Sequence, residues 1–525
     1  MRLKVYVLTT LCILFIAAAY AEEIQPDVVV EIPMRDGALL PTDIYLPSPD
    51  ARNLPTILVR TPSGRRAFYQ AYQPLTKAGY VVAIQDARNF VDQEGKTFPW
   101  LSDGWGELQD GYDTVEWLAK SPYSNGKVGT MGFSAMGISQ LLLAPTAPPS
   151  LKAQYIGFAV SDMYRHAIYH GGTLRKNQVE GWIGYCAKDP SVLSTILSIG
   201  QDDDFWGRID CLSQVCRMRL PALHYGGWYD TFSQGTLDTF AALQAQGGPG
   251  AKGRQILVMG PWTHHWPRSM KIGDFDIPEN GRFPPFDISP KSWFDYYLKG
   301  DSNGIDKLPA VTYYVMGPLD GTSSKGNIWK TATSWPIPAK PWRLYLQPAG
   351  KLADTAASIG SMRFKHDPEN PVPTLGGRNL FLEAGAKDQT PLEERSDVLV
   401  FTTDVFSEDM EVTGRISAAL YISSDAKDAD IAVRLTDVYP DGKSVLIADG
   451  VRRLSNVRKF DGSSTPVEVK VDLLSTSQVF AKGHRLRISI SGSNYPQFDL
   501  VKDPSENVVL FGSEAPSHVT LPLVD

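Results

Sequence analysis

The chemistry legible in this chain rests on three residues in one order. They are Ser134 within Gly132-Phe-Ser-Ala-Met-Gly137, Asp230 closing Gly226-Gly-Trp-Tyr-Asp230, and His264 in Gly260-Pro-Trp-Thr-His-His265. The serine run follows the strand-like Lys127 to Met131 and precedes the helix-like Ile138 to Leu143. Small residues flank a serine in this way where a strand turns sharply into a helix, because bulk beside it would meet neighbouring backbone. Such an elbow exposes the Ser134 hydroxyl and sets the Ala135 N–H at a helix start, where it can receive a developing oxyanion. A nucleophilic serine needs a base, and in α/β-hydrolases the chain order is serine, acid, histidine.

That order filters the candidates. Of the eight histidines, His224 lies inside a strand candidate, His166 and His170 in an aromatic segment without strand alternation, and His366, His484 and His518 in a C-terminal β region. His264 and His265 follow a strand end, where sites form in open α/β sheets. Asp230 likewise follows a strand and would fix the imidazole tautomer. Its bland alternative is an N-cap for a helix starting near Phe232.

The elements that must position these groups alternate strand and helix from Val28 to about Ala144. Strands are expected at Pro55 to Val59, Tyr80 to Ile84 and Lys127 to Met131, with helices at Gln70 to Ala78 and Gly111 to Ala119. This pattern predicts a doubly wound, mostly parallel sheet. It breaks at Ala144-Pro-Thr-Ala-Pro-Pro149, resumes at Pro221 to Tyr225 and Gln255 to Met259, and ends near the proline-rich Trp335 to Pro341. Short alternating runs then follow, such as Val398 to Thr402 and Arg485 to Ile490, which suggest a β-sandwich or jelly roll. The expected organisation is a signal peptide over 1–21, hydrolase core over 22–148 and 216–335, a helical cap over 149–215, and a jelly roll over 336–525.

Arg2 and Lys4, the apolar Val5 to Ile16 and the small-residue site Ala19-Tyr-Ala21 form a secretory signal, so the chain is expected to be secreted or periplasmic after cleavage behind Ala21. No later stretch is long and apolar enough for a membrane span. A net charge of -7 without basic runs argues against nucleic acid. Cys186, Cys211 and Cys216 allow one bridge among three pairings, and none has zinc-site spacing. His166 and His170 lack a third ligand, and Asp202 to Asp204 read as a solvated loop.

The stretches Asp110 to Trp117, Ser124 to Ser134, Gly226 to Asp230, Gly260 to His264 and Phe294 to Gly300 resemble the cocaine esterase family of α/β-hydrolases. That family is similar to X-Pro dipeptidyl-peptidases, glutaryl acylases and α-amino acid ester hydrolases. The resemblance implies a hydrolase domain, an inserted helical cap and a C-terminal jelly roll, and it selects His264 over His265. The family carries a tyrosine after the proline of Val59-Arg-Thr-Pro-Ser-Gly64, whose hydroxyl is the second oxyanion donor; here that position is Ser63. Tyr69 and Tyr72 are nearby substitutes. Ala135 stands where the family often has tyrosine, and its backbone N–H is retained.

The reading is therefore a serine hydrolase that needs no cofactor or metal and cleaves a small ester or activated amide. Trp105, Phe133, Trp182, Trp228, Trp262 and Trp266 are candidate walls for an aromatic or bulky apolar acyl group, with packing between domains as their alternative role. A second reading is an X-Pro dipeptidyl-peptidase or α-amino acid ester hydrolase, with Asp162 or Asp202 to Asp204 pairing a substrate ammonium. A third is a surface or carbohydrate binding protein whose hydrolase domain is impaired at Ser63.

Overall fold

The computed structural model describes residues 24–88, 100–187, 191–200, 204–356, 359–457, 460 and 465–524. The expected signal segment and Asp202 and Asp203 lie outside these residues. Among the described residues no helix is long and apolar enough to cross a membrane.

A ten-stranded sheet forms the first layer. Its strands are β1 (Val28–Pro33), β2 (Leu39–Tyr45), β3 (Leu54–Thr61), β4 (Val81–Asp86), β5 (Ser124–Phe133), β6 (Leu151–Gly157), β7 (Ala222–Tyr229), β8 (Gln255–Thr263), β9 (Val311–Val315) and β10 (Ile328–Ala332). They lie in the order β1-β2-β4-β3-β5-β6-β7-β8-β9-β10. From β4 through β9 neighbours run parallel, and antiparallel pairs close both edges. Apart from β5, which is buried only over its second half, the strands from β3 to β9 are buried along most of their length, the pattern of a sheet covered on both faces. Helices α1 (Tyr69–Lys77), α2 (Asp110–Ala119), α3 (Ala135–Leu143), α4 (Lys176–Trp182), α5 (Ser191–Ser198) and α6 (Ser233–Gln246) pack around it.

One boundary moves. Strand β6 lies inside the segment expected to be a helical insertion, and it pairs in parallel with both β5 and β7. Its sequence Leu-Lys-Ala-Gln-Tyr-Ile-Gly does not read as an apolar run because Gln154 interrupts it. That side chain is nevertheless buried, donating to the Gln140 carbonyl (2.8 Å). The largely helical part of the segment begins after Gly157, with α4, α5 and several short helical turns.

Lys340 to Val524 builds a second, eleven-stranded sheet system with its own apolar core. Its longest strands, Met410–Ser424 and Val467–Phe480, pair antiparallel across a register shift at Ile416/Ser417. The molecule is thus a mixed α/β fold with a large central sheet and a second, sheet-rich C-terminal domain.

His224 on β7 is 1% exposed, and its Nε2–H donates to Gln255 Oε1 (3.0 Å). Burial lowers its pKa from 6.5 to about 4. Below about pH 6.5 the unfolded chain therefore takes up a proton that the folded chain refuses until about pH 4, a loss of about 3 kcal/mol from this side chain. Tm should fall across this window, and less steeply in His224→Gln; equal slopes in the two proteins would contradict the assignment.

Candidate active site

Strand β5 ends at Phe133, and Ser134 follows at φ 59°, ψ −127°, a conformation strained for any residue but glycine. The surroundings hold it there. Ser134 N donates to Gly157 O on β6 (2.9 Å), and Gly137 N donates to Ser134 O (2.8 Å). A Cβ on Gly132 would come within 2.5 Å of Met136 Cβ, so only glycine lets the chain turn directly into α3. Ala135 is the first residue of α3, where backbone N–H groups have no intrahelical acceptor.

Asp230 follows β7 and His264 follows β8, at the same carboxyl-terminal edge of the sheet as Ser134. His264 Nε2 lies 2.9 Å from Ser134 Oγ, and His264 Nδ1 lies 2.6 Å from Asp230 Oδ1. Asp230 is fully buried, and the imidazole meets Phe158 and Phe232 edge-on at 5.9 and 5.3 Å between centroids. These rings leave the imidazole one orientation, between carboxylate and hydroxyl. Helix α6 starts at Ser233 with Phe232 as its N-cap, so the Asp230 carboxylate is not spent on capping. His265 turns away to Leu380 O (3.1 Å), and burial, with His264 beside it, lowers its pKa.

The C-terminal domain grips the segment carrying Asp230. Arg378 Nε donates to Trp228 O (3.0 Å), Tyr229 OH to Leu446 O (2.9 Å), and Ser475 N to Gln234 Oε1 (2.9 Å). Nothing local in the sequence around Asp230 announces these partners.

Beside Ser134 opens a cavity of about 500 Å³, its mouth included. Trp100, Ile138, Met163, Trp182, Phe232 and Leu380 form most of its apolar wall, and none of the described residues lining it is charged. Its one amide side chain, Gln178, is engaged: Nε2 donates to Ala167 O (2.6 Å) and Oε1 accepts from Thr231 Oγ1. Ile138 lies one helical turn beyond Ser134 and Phe232 two residues beyond Asp230, spacings that could have flagged both. Leu380, from the C-terminal side of the chain, gave no such signal.

Of the aromatic residues expected as walls, Trp182 lines this cavity. The other five are absent from its lining. Trp228 and Trp262 are fully buried, donating Nε1–H to Tyr314 O (2.7 Å) and Gly281 O (2.9 Å). Trp266 stacks on Trp262 at 4.1 Å, Phe133 packs on Phe158 at 5.9 Å, and Trp105 packs against the cluster containing Trp100. Trp228 and Trp262 thus serve packing, whereas Trp105, Phe133 and Trp266 are half-buried.

Asp162 is paired with Arg165 (2.9 Å), away from the cavity lining. His166 and His170 take separate partners, the Asp238 carboxylate (3.1 Å) and the Asp472 carbonyl (2.9 Å). Cys211 is a buried free thiol and Cys216 an exposed one, so they are not bridged to each other.

Ser63 is half-buried in the loop after β3, the strand beside β5, with its N–H on Thr61 Oγ1 (3.1 Å). Tyr69 stacks face to face on Tyr45 at 3.5 Å. Tyr72 is buried with its hydroxyl on Met136 Sδ (3.6 Å), and burial pushes its pKa up.

Residues 36–188 and 182–266 match the X-Pro dipeptidyl-peptidase (S15 family), and residues 303–520 match the X-Pro dipeptidyl-peptidase C-terminal non-catalytic domain. The chain belongs to this cocaine esterase and X-Pro dipeptidyl-peptidase-like family of α/β-hydrolases, and it is a serine hydrolase. It is 29% identical to the cocaine esterase of Rhodococcus sp. (strain MB1 Bresler), over 94% of this chain and 98% of that one. Its fold is similar to that of an aminopeptidase from a marine sediment archaeon, Thaumarchaeota archaeon (TM-score 0.79, 22% identity, covering 97% of this chain and 99% of that one). An α-amino acid ester hydrolase has a similar fold too (TM-score 0.78, 21% identity, 96% and 98% covered).

Proposed function

We propose that the protein hydrolyses esters whose acyl group is bulky and apolar beside the ester carbonyl, through Ser134, His264 and Asp230. The hydrogen-bonded chain from Asp230 Oδ1 through His264 to Ser134 Oγ carries this reading. His264 Nε2 takes the Ser134 proton as Oγ attacks the ester carbonyl, and Asp230 stabilises the imidazolium. The Ala135 N–H receives the oxyanion, with Ser63 as second donor. The imidazolium then protonates the leaving alcohol, and water cleaves the acyl-enzyme by the reverse proton path. The largely helical segment over Ser134 acts as the cap, and the C-terminal domain, with jelly-roll topology, braces the Asp230 loop.

The cavity supports an apolar acyl group over an aminoacyl one, because an ammonium placed there would find no carboxylate among the described lining residues. Ethyl phenylacetate and ethyl phenylglycinate differ in that ammonium. The first should be hydrolysed with a kcat/KM about 10²-fold higher; a preference for the glycinate would favour the α-amino acid ester hydrolase reading instead.

Ser63→Ala should lower kcat by about 10²-fold with KM little changed, the loss typical of one oxyanion donor. An unchanged kcat would leave the oxyanion to backbone N–H alone.

A further inference from the structure

A second cavity, of about 210 Å³ with its mouth included, adjoins the apolar one, and Gln178 and Leu380 line both. Its other walls are Arg175, Asn177, Arg378, Asn379 and Gln497. Two guanidiniums and, with Gln178, four carboxamides thus line a space that adjoins the cavity beside Ser134.

Both arginines are almost entirely buried, Arg175 at 5% and Arg378 at 3% exposure. Arg378 is structurally committed: its nitrogens donate to Trp228 O, Leu473 O and Ser475 O. Arg175 is not. Its NH1 makes two long bonds to Thr231, to O and Oγ1, both at 3.3 Å, and its Nε finds no partner among the described residues. A buried guanidinium N–H without an acceptor is costly and rare in a settled core.

Asp449 lies 3.9 Å from Arg378 NH1 and also accepts from Asn494 Nδ2 (3.2 Å). Of the other carboxylates whose charge reaches these arginines, Asp472 is paired with Arg415, and Asp230 accepts a hydrogen bond from His264. Burial lowers the Arg175 pKa to about 10, with Arg378 adding to that shift and Asp449 opposing it.

We propose that the Arg175–Arg378 cavity binds a carboxylate of the substrate, so that the preferred ester is apolar at the acyl group beside Ser134 and carries a remote anion. The inference rests on Ser134 being the nucleophile. A planar carboxylate matches the guanidinium fork and supplies the acceptor that Arg175 Nε lacks, and the carboxamides can donate to its remaining lone pairs. The carboxylate can belong to the acyl part or to the alcohol part.

Two series of matched esters separate those sources. One compares mono-4-nitrophenyl esters of succinate through suberate with the same esters methyl-capped at the far carboxyl. The other compares 4-carboxyphenyl phenylacetate with its methyl-capped form. In one series the free carboxylate should raise kcat/KM by about tenfold or more over its capped partner, and that ratio should fall to about one in Arg175→Gln and partly return in Arg175→Lys. Reading a ratio within one protein makes the outcome independent of any general loss of activity in the variants. Ratios below about twofold in both series, or a preference that survives Arg175→Gln, would overturn the proposal. If neither capped nor free esters turn over, the Ser134 reading fails first and this one with it.

Discussion

Replacing Ser134 with alanine should lower kcat/KM for ethyl phenylacetate by about 10⁶-fold, with Tm changed by only a few degrees. The attacking oxygen is lost outright, and no other described hydroxyl is recorded on His264 Nε2. The fold should tolerate the change because the elbow is held by backbone. Ser134 N donates to Gly157 O and Ser134 O accepts from Gly137 N, and alanine keeps both bonds. Alanine also inherits the positive φ of 59° at a cost similar to that of serine. What activity survives should come from the Ala135 N–H and the apolar cavity, which bind without attacking. A variant retaining more than about a hundredth of the native rate would place the nucleophile elsewhere.

Asp230→Asn should lower kcat by about 10⁴-fold while leaving substrate binding nearly intact. Asp230 Oδ1 accepts from His264 Nδ1–H at 2.6 Å, which leaves Nε2 bare and facing Ser134 Oγ at 2.9 Å. An asparagine that presents its NH₂ to Nδ1 reverses this tautomer. Nε2 then carries the hydrogen and cannot take the serine proton. The imidazolium formed during attack also loses its counter-charge, in a place where the carboxylate is fully buried. The loss should appear in kcat rather than KM, because Asp230 is absent from the cavity wall. An Asp230→Asn enzyme within tenfold of the native kcat would remove the acid from the account.

The three reacting residues could be found in the sequence because each sits next to a strand end, and strand ends are marked locally. Gly132-Phe-Ser-Ala-Met-Gly137 names its own turn, and Gly226-Gly-Trp-Tyr-Asp230 and Gly260-Pro-Trp-Thr-His264 follow apolar runs that become β7 and β8. The alternation that predicts the parallel sheet is a period read over a few residues. What was hidden depends on distance along the chain. Strand β6 has no apolar signature because Gln154 is satisfied by Gln140, fourteen positions earlier. Trp228 and Trp262 differ from Trp182 in the partners that surround them, sending their N–H groups to carbonyls at Tyr314 and Gly281. Arg175 and Arg378 belong to different domains and meet only in the folded protein, so no spacing rule could have joined them.

Fluorophosphonate labelling of the protein, read by intact mass beside Ser134→Ala, tests the central claim most directly. An activated serine reacts because its base is placed to take the proton as Oγ attacks phosphorus, so no substrate need be known. One adduct on the native protein, mapped to Ser134 and missing from Ser134→Ala, is the result predicted. No adduct on the native protein, or an adduct that persists in Ser134→Ala, would contradict the assignment of Ser134, His264 and Asp230 as the reacting groups.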